Sequence, residues 1–174
     1  SFFCLDMEFL KLAAERYSAR KFKAQPVEQE KIDQLLRAAQ LAPSGRNNQS
    51  WQIYVLQSAE ALAAMDECTP CRFEAPLAFL ICYDIARQAH VDSNEVNMGL
   101  VDSAIATTQI MLAAQELGLG SCWVCRFDAE KTCDLFSLPD EIEPACFLPL
   151  GYAEIGPSER HTQRMPLAAH VEYR

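Results

Sequence analysis

Apolar residues recur along most of the chain at one of two spacings, the helical repeat of three to four residues or the continuous run of a buried strand. Helical spacing predicts α helices at residues 7–16, 28–41, 59–65, 98–117 and 129–136. Strand-like runs are predicted at residues 51–57, 77–83, 122–127 and 145–152, with a short closing edge strand at 170–173. The run at 77–83 is apolar at nearly every position, which indicates a central strand covered on both faces.

Residues that cap or stop helices mark the ends of several elements. The side chains of Asp6, Ser58 and Asp128 are suited to accept hydrogen bonds at a helix start. Gly118 is predicted to stop a helix, and Pro43 biases the residue before it away from helical geometry. Loops are predicted at 66–74, 84–97 and 139–144, and the second of them is a mobile excursion of the kind that often covers a site.

The predicted helix at 98–117 is the longest and is strongly apolar. One stripe along it is predicted to face the core, and it consists of Val101, Ala104, Ile105, Thr108, Met111, Leu112 and Gln115. We expect such a helix to be central in the fold or to lie in a subunit interface.

Length and charge narrow the class of protein. A chain of 174 residues, 50% of them apolar, fits one compact domain spanning 1–174, with 1–6 interpreted as a non-native or disordered leader ahead of Met7. The formal charge of −9 argues against nucleic acid or an anionic membrane surface as the main partner. No apolar run approaches the ~20 residues that span a bilayer. The start lacks a secretory pattern, so we expect a soluble, cytoplasmic protein.

The eight cysteines include two Cys-x-x-Cys pairs, Cys68/Cys71 and Cys122/Cys125. This spacing is compatible with a zinc site or a redox pair. Cys122 and Cys125 fall in a strand-like run, where residues three apart point to opposite faces, and this disfavours one shared metal ion. We therefore predict reduced structural thiols and no metal site.

Two polar stretches have the composition of a ligand site. Residues 16–21 place Arg16 and Arg20 on either side of Ser18, which are the donors that an oxyanion such as phosphate needs. A solvated basic turn has the same composition. Residues 42–51 combine a helix stop, a small-residue turn and several amide and hydroxyl groups, which fits a ligand shelf or an ordinary loop.

Four stretches taken together carry a family resemblance. They are the basic cluster at 16–21, Pro-Ser-Gly-x-Asn-x-Gln-x-Trp at 43–51, Gly-Leu-Gly-Ser-Cys-Trp at 118–123 and Arg-x-Pro-Leu at 164–167. In this order and spacing they resemble the nitroreductase family of flavin enzymes over nearly the whole chain. The resemblance implies an α+β fold of three α/β/α layers with a central mixed, mainly antiparallel sheet. It also implies an entwined homodimer with FMN at the subunit interface, in which the tail 168–174 extends to the partner's sheet.

The resemblance also assigns roles on the phosphate side of the flavin. The Arg-x-Ser-x-Arg segment holds the cofactor in this family, so Arg16, Tyr17 and Ser18 are implied to hold its phosphate and ribityl side. Arg20 is implied to reach the pyrimidine edge of the ring, and Arg164 to complete the phosphate site.

Two further groups are implied to surround the ring itself. The first group comes from the other subunit and consists of Pro43, Ser44, Gly45 and Asn47. The second group presents its backbone to the N5 region and consists of Trp123, Val124 and Cys125. The sequence departs from the family pattern at Tyr17, Ser50 and Cys125-Arg126. Arg126 either narrows the substrate space or faces solvent.

The function implied is that of an FMN-dependent NAD(P)H oxidoreductase, with NADH or NADPH as co-substrate. It would reduce electron-poor acceptors, such as nitroaromatics or quinones, by ping-pong hydride transfer. Because a flavin carries hydride chemistry, no catalytic side chain is expected, and His90, His161 and His170 are predicted at the surface. The alternatives are a reductive dehalogenase or flavin-consuming oxygenase of the same fold and, from another class, a non-catalytic flavin- or thiol-metal-binding module.

Overall fold

The structure, a computed structural model, describes residues 8–93 and 95–174. The α helices in these residues are α1 (Glu8–Glu15), α2 (Gln29–Gln40), α3 (Ala59–Cys68), α4 (Met98–Glu116) and α5 (Ala129–Leu135). The β strands are β1 (Trp51–Leu56), β2 (Leu77–Asp84), β3 (Gly120–Ser121) and β4 (Ile142–Gly151). The cap predicted at Asp6 lies outside the described residues. Within the described ranges, no helix is both long enough and apolar enough to cross a membrane.

The four strands form one sheet in the order β1-β2-β4-β3, and each named pair is antiparallel. Ser18 adds a parallel bridge to Ser121, so the segment after α1 continues the sheet beyond β3. At the other side, no strand among the described residues pairs with the outer edge of β1. The predicted α+β fold with a mixed, mainly antiparallel sheet is therefore confirmed.

The sheet lies between two layers of helices, because its side chains alternate between two apolar clusters. Phe79 and Ile81 of β2 pack in the first cluster with buried residues of α2 and α4. Leu80 and Cys82 pack in the second cluster with Met65 of α3 and residues beside α5. Every residue from 77 to 83 is buried, which confirms the prediction of a central strand covered on both faces.

Several predicted boundaries are wrong for identifiable reasons. Residues 122–127 are not a strand: Val124 bridges to Phe147, but the chain then turns, with Phe127 N–H donating to the Cys125 carbonyl (3.2 Å). The turn brings Asp128 to the start of α5, where its carboxylate accepts from the Lys131 amide. In addition, α3 continues to Cys68 into the predicted loop.

Strand β4 begins at Ile142, earlier than predicted, and it contains two prolines. Proline disfavours a strand because it has no N–H to donate. The Pro149 carbonyl nevertheless accepts a bond from the Cys122 amide (3.2 Å), so the strand keeps its outer partner there. At the C terminus, residues 170–174 form no strand within the described chain, and pairing with a partner's sheet stays a prediction.

The orientation of α4 differs from the predicted one. Its buried residues are Gly99, Asp102, Ser103, Ala106, Thr107, Ile110, Met111 and Ala114. Of the predicted stripe, Met111 alone is buried, whereas Val101 is 39% exposed. Because α4 is apolar on most sides, its periodicity does not indicate which side faces the sheet. The predicted stop is confirmed, since Gly118 follows the helix with φ +73°, a conformation that glycine adopts without strain.

Candidate functional site

A cavity of about 190 Å³ lies where the segment after α1 meets the segment after β4. We call it the cation cavity. Its lining residues are Arg16, Tyr17, Ser18, Arg20, Ser158, Arg160, His161 and Arg164. The structure thus brings the predicted site residue Arg164 together with the four predicted at positions 16, 17, 18 and 20.

Backbone pairing positions the first half of the cation cavity. Ala19 is buried, and its N–H donates to the Ser121 carbonyl (2.9 Å), so this segment lies along the edge of the sheet. The alternation of an extended segment then turns Ser18 and Arg20 away from the side on which Ala19 packs. Tyr17 joins the two halves, because its hydroxyl donates to the Ile155 carbonyl (3.0 Å) and its ring packs edge-on against His161.

The arginines of the cation cavity have no acidic partners in the part of the chain that the structure describes. Within residues 8–93 and 95–174, none of Arg16, Arg20, Arg160 and Arg164 forms an ion pair with a carboxylate. This is notable in a chain with 24 acidic and 15 basic residues. Arg164 instead donates to the carbonyl of Gln163 (3.0 Å). Four guanidinium groups without counter-charges concentrate positive potential and favour an anion such as phosphate.

The stretch 122–125 lies beside the cation cavity. Burial raises the pKa of the Cys122 thiol, while the positive charge of Arg20 and a hydrogen bond with Ser18 oppose that shift. Val124 is buried, and the Trp123 indole N–H donates to the Cys125 sulfur at 2.9 Å. The stretch therefore approaches the cations at Cys122, whereas Trp123, Val124 and Cys125 are not among the residues that line the cation cavity. Arg126 is exposed.

The Pro-Ser-Gly stretch forms a compact loop at residues 43–50. Ser44 Oγ accepts from the Gln49 amide (3.0 Å), and the Gly45 amide donates to the Asp102 carboxylate in α4 (2.8 Å). Pro43 and Asn47 are exposed, and Ser44 is half-buried. The loop thus presents small polar groups at the surface.

The loop and the cation cavity lie at opposite ends of α4. Gly45 contacts Asp102 near the start of the helix, whereas Ser121, which pairs with Ser18, follows its end. Glu116 lies 14 positions after Asp102 in the helix, a rise of about 21 Å. One chain therefore does not bring the two groups together, and the role of the loop at the partner subunit's flavin stays a prediction.

The prediction of site residues missed two groups. Arg160, His161 and Ser158 line the cation cavity, and the surface position predicted for His161 is wrong because this side chain is half-buried against Tyr17. The sequence signal was the Arg-His-x-x-Arg spacing in a chain of net negative charge. Asp102 was also missed, although a carboxylate within an apolar helix is unusual enough to indicate a specific partner.

The cysteine pairs do not converge on one point. Cys122 is buried and Cys125 is exposed, so the two side chains point in different directions. No group of three or more His, Cys, Asp or Glu side chains that could hold a metal ion occurs in the described part of the chain. The seven cysteines in that part have free thiols.

Native alkylation should distinguish these thiols. Burial raises the pKa of Cys82 to about 12 and also raises the pKa of Cys146, so neither forms the reactive thiolate near pH 8. Cys125 is exposed and should react with N-ethylmaleimide within minutes, whereas Cys82 and Cys146 should react only after denaturation. Peptide mapping by mass spectrometry checks the order; equal labelling of Cys82 and Cys125 in the folded protein would contradict the packing described.

The chain is thus an α+β protein with one sheet between two helix layers and, at one end, four arginines that form no ion pair with a carboxylate of the described residues. A sequence profile described as "Nitroreductase family" matches residues 13–78 and 69–152, and the chain belongs to this family. The resemblance inferred from the four stretches is thereby confirmed.

Individual relatives agree with this assignment. A crystal structure of a nitroreductase family protein from Clostridium difficile 630 is 37% identical, with a TM-score of 0.91 over 96% of this chain and 98% of that one. A structure named FMN-dependent nitroreductase, from C. difficile R20291, is 28% identical, with a TM-score of 0.78 over 94% and 98% of the two chains. FMN reductase [NAD(P)H] of Bacillus subtilis is 29% identical over 90% of this chain and 69% of its own length.

Proposed function

We propose that the protein is an FMN-dependent NAD(P)H oxidoreductase that reduces electron-poor acceptors such as nitroaromatics or quinones. The observation that carries this proposal is the cation cavity, in which four arginines have no carboxylate partner within the described residues. Relatives named FMN reductase and FMN-dependent nitroreductase support both the cofactor and the reaction.

The residues of the cation cavity fit the phosphate end of FMN. A phosphate dianion needs several charge-assisted donors, which Arg16, Arg160 and Arg164 supply together with the Ser18 hydroxyl. Bound FMN would supply the hydride chemistry, taking hydride from NADH or NADPH and passing it to the acceptor. The protein is left with binding, orientation and exclusion of water, for which it needs no acid or base side chain.

We propose that the other predicted residues surround the flavin ring. Arg20 lies on the same segment as Arg16, on the side of Cys122, and would place a positive charge at the pyrimidine edge. Trp123, Val124 and Cys125 would offer backbone groups beside it. We place the protein in the cytoplasm, because its described cysteines are free thiols.

We also propose that the enzyme is a homodimer with flavin sites at the subunit interface. The outer edge of β1 is open in the described chain, and the Trp51 indole N–H, although buried, has no hydrogen-bond partner there. The faces of α1 and α4 expose apolar side chains at Phe9, Leu10, Leu100 and Val101. A second copy would cover these surfaces, and its tail 168–174 could supply the missing strand.

Removal of the tail should separate the subunits. A chain that ends before residue 168 lacks the segment proposed to reach the partner, so it should elute as a monomer and lose FMN. Light scattering after gel filtration, with flavin absorbance, gives both readouts. Lys131→Gln is the control outside the tail, because Lys131 pairs with Glu67 (3.3 Å), and this substitution should leave both the dimer and the flavin unchanged. A truncated monomer that retains FMN would refute the shared site.

The proposed function is tested by FMN titration followed by kinetics. Purified protein should be yellow, or should bind added FMN with a rise in melting temperature, as expected for a ligand of the native state. It should then oxidise NADH or NADPH with a nitroaromatic or a quinone as acceptor. Double-reciprocal plots at several acceptor concentrations should be parallel, as ping-pong turnover requires. Protein that is colourless, and whose absorbance and melting temperature do not respond to FMN, is not a flavoenzyme. Stoichiometric zinc without flavin would favour the thiol-metal module.

A further inference from the structure

One buried carboxylate holds both ends of the loop at 45–50. Asp102 has no exposed surface. Its Oδ1 accepts a hydrogen bond from the Gly45 amide (2.8 Å), and its Oδ2 accepts one from the hydroxyl of Ser50 (3.1 Å), which is also fully buried. The carboxylate therefore clamps the loop, whose ends cannot separate unless one of these bonds breaks.

Between these two anchors the backbone adopts an unfavourable conformation. Arg46, Asn47 and Gln49 have φ angles of 52°, 59° and 50°, in the left-handed region that residues other than glycine rarely adopt. Such a conformation persists only where the surroundings hold it in place. The bond from the Gln49 amide to Ser44 Oγ helps within the loop. Asp102 is the one side chain among the described residues that holds both Gly45 and Ser50, and the Asp84 amide adds a backbone bond to the Ser50 carbonyl (2.8 Å).

The loop is seated closely on its neighbours. A Cβ atom at Gly45 would lie 2.9 Å from both Ala89 Cβ and Met98 Cε, so the backbone approaches these residues as only glycine permits. The Asn48 side-chain amide donates to the Arg87 carbonyl (3.0 Å). The start of α4 and residues 87–89 therefore support the loop together.

Burying the negative charge of Asp102 in the protein interior is energetically unfavourable. Burial of a carboxylate is unfavourable unless it is paired or well hydrogen-bonded, and no Lys or Arg of the described chain forms an ion pair with Asp102. Hydrogen bonds to an ionised acceptor are stronger than neutral ones. Both donors, Gly45 and Ser50, belong to the loop. The negative charge therefore strengthens the two hydrogen bonds that hold the loop.

We propose that Asp102 is a positioning residue for flavin binding, which fixes the loop so that Ser44 and Asn47 meet the flavin ring of the partner subunit. This inference rests on the proposed function. Asp102 acts through Gly45 and Ser50 and does not touch the cofactor. A loop released from the clamp would spend only part of its time in the binding conformation, and the apparent affinity for the ring would fall by that fraction.

The test compares three ligands that would occupy different parts of the proposed flavin site. Riboflavin has the ring but no phosphate, inorganic phosphate has no ring, and FMN has both. In Asp102→Asn the amide oxygen can still accept from Gly45 N–H while the amide nitrogen donates to Ser50 Oγ, so the shape is kept and the charge is lost. We expect affinity for FMN and for riboflavin to fall about tenfold, which corresponds to replacing hydrogen bonds to a charged acceptor by bonds to a neutral one. Affinity for phosphate should not change.

Two further variants make the result decisive. Ser50→Ala removes one anchor and leaves the carboxylate, and it should weaken FMN and riboflavin in the same direction even if Asp102→Asn folds poorly. Thr107→Val is the matched control: Thr107 is equally buried in α4, but its hydroxyl donates to the Ser103 carbonyl within the helix and not to the loop. It should leave all three affinities unchanged.

Three results would overturn the inference. The first is wild-type affinity for riboflavin in both Asp102→Asn and Ser50→Ala. The second is an equal loss for riboflavin and phosphate, which would mean that Asp102 supports the fold as a whole. The third is wild-type protein that binds no FMN at all; this result alone also removes the proposed function.

Discussion

Replacing Arg16 by glutamine should weaken FMN binding about tenfold to hundredfold. Arg16 is half-buried in the cation cavity and has no carboxylate partner in the described chain, so its charge is available to a phosphate. A hydrogen bond to a charged group contributes about 1.5–3 kcal/mol, and about 1.4 kcal/mol corresponds to a factor of ten. Fluorescence titration of FMN measures the loss, which should become smaller as salt screens the charges.

Riboflavin and a distant charge provide the controls for Arg16→Gln. Riboflavin lacks the phosphate, so the substitution should leave its affinity nearly unchanged. Lys131→Gln removes a positive charge that pairs with Glu67 (3.3 Å) outside the cation cavity, and it should bind FMN as the wild type does. An equal loss of riboflavin and FMN in Arg16→Gln would show that Arg16 does not act on the phosphate.

Gly99→Ala should lower the melting temperature by about 4–10 °C, the shift for a loss of about 2–3 kcal/mol in a chain of this size. A Cβ atom at Gly99 would lie 2.3 Å from Cδ2 and 2.8 Å from Cγ of the Tyr83 ring. The ring cannot easily retreat, because the Tyr83 hydroxyl donates to Glu143 and accepts from the Asn97 amide. This overpacking should outweigh the better helix propensity of alanine, about 1 kcal/mol.

The control for this substitution is Gly156→Ala, because no atom lies within 4 Å of a Cβ built there and its φ is not in the left-handed region. Its melting temperature should match that of the wild type by calorimetry or circular dichroism. If Gly99→Ala also has the melting temperature of the wild type, α4 does not pack on Tyr83 as closely as described.

Local pattern predicted the elements that carry an unambiguous signal. The apolar run of β2 needs burial on both faces wherever it lies, so seven buried residues from 77 to 83 follow from the sequence. The end of α4 follows from Gly118. In contrast, residues 122–127 have a strand composition but turn at Cys125, because Asp128 must reach the start of α5, where its amide also donates to the Cys68 carbonyl (3.0 Å). Tertiary contacts of this kind leave no periodic signal.

The hydrophobic pattern of the sequence could not predict the orientation of α4 or the contacts of Asp102, for a related reason. Asp102, Ser103 and Thr107 are fully buried although polar, and a rule that assigns polar residues to the surface turns the helix the wrong way. The cation cavity was only partly predicted. Arg16, Ser18, Arg20 and Arg164 came from the family resemblance, whereas Arg160 needed the fold to show that its segment returns beside Tyr17.

Because α4 separates the loop from the cation cavity in one chain, the shared site can be tested by genetic complementation. If each flavin takes its phosphate contacts from one subunit and its ring contacts from the other, Arg16→Gln and Asn47→Ala damage the two sides of one site. Each homodimer is then defective at both sites, but a mixed dimer carries one doubly damaged site and one intact site. Two inactive variants expressed together should therefore restore about a quarter of the sites by intragenic complementation, as closed two-fold symmetry requires.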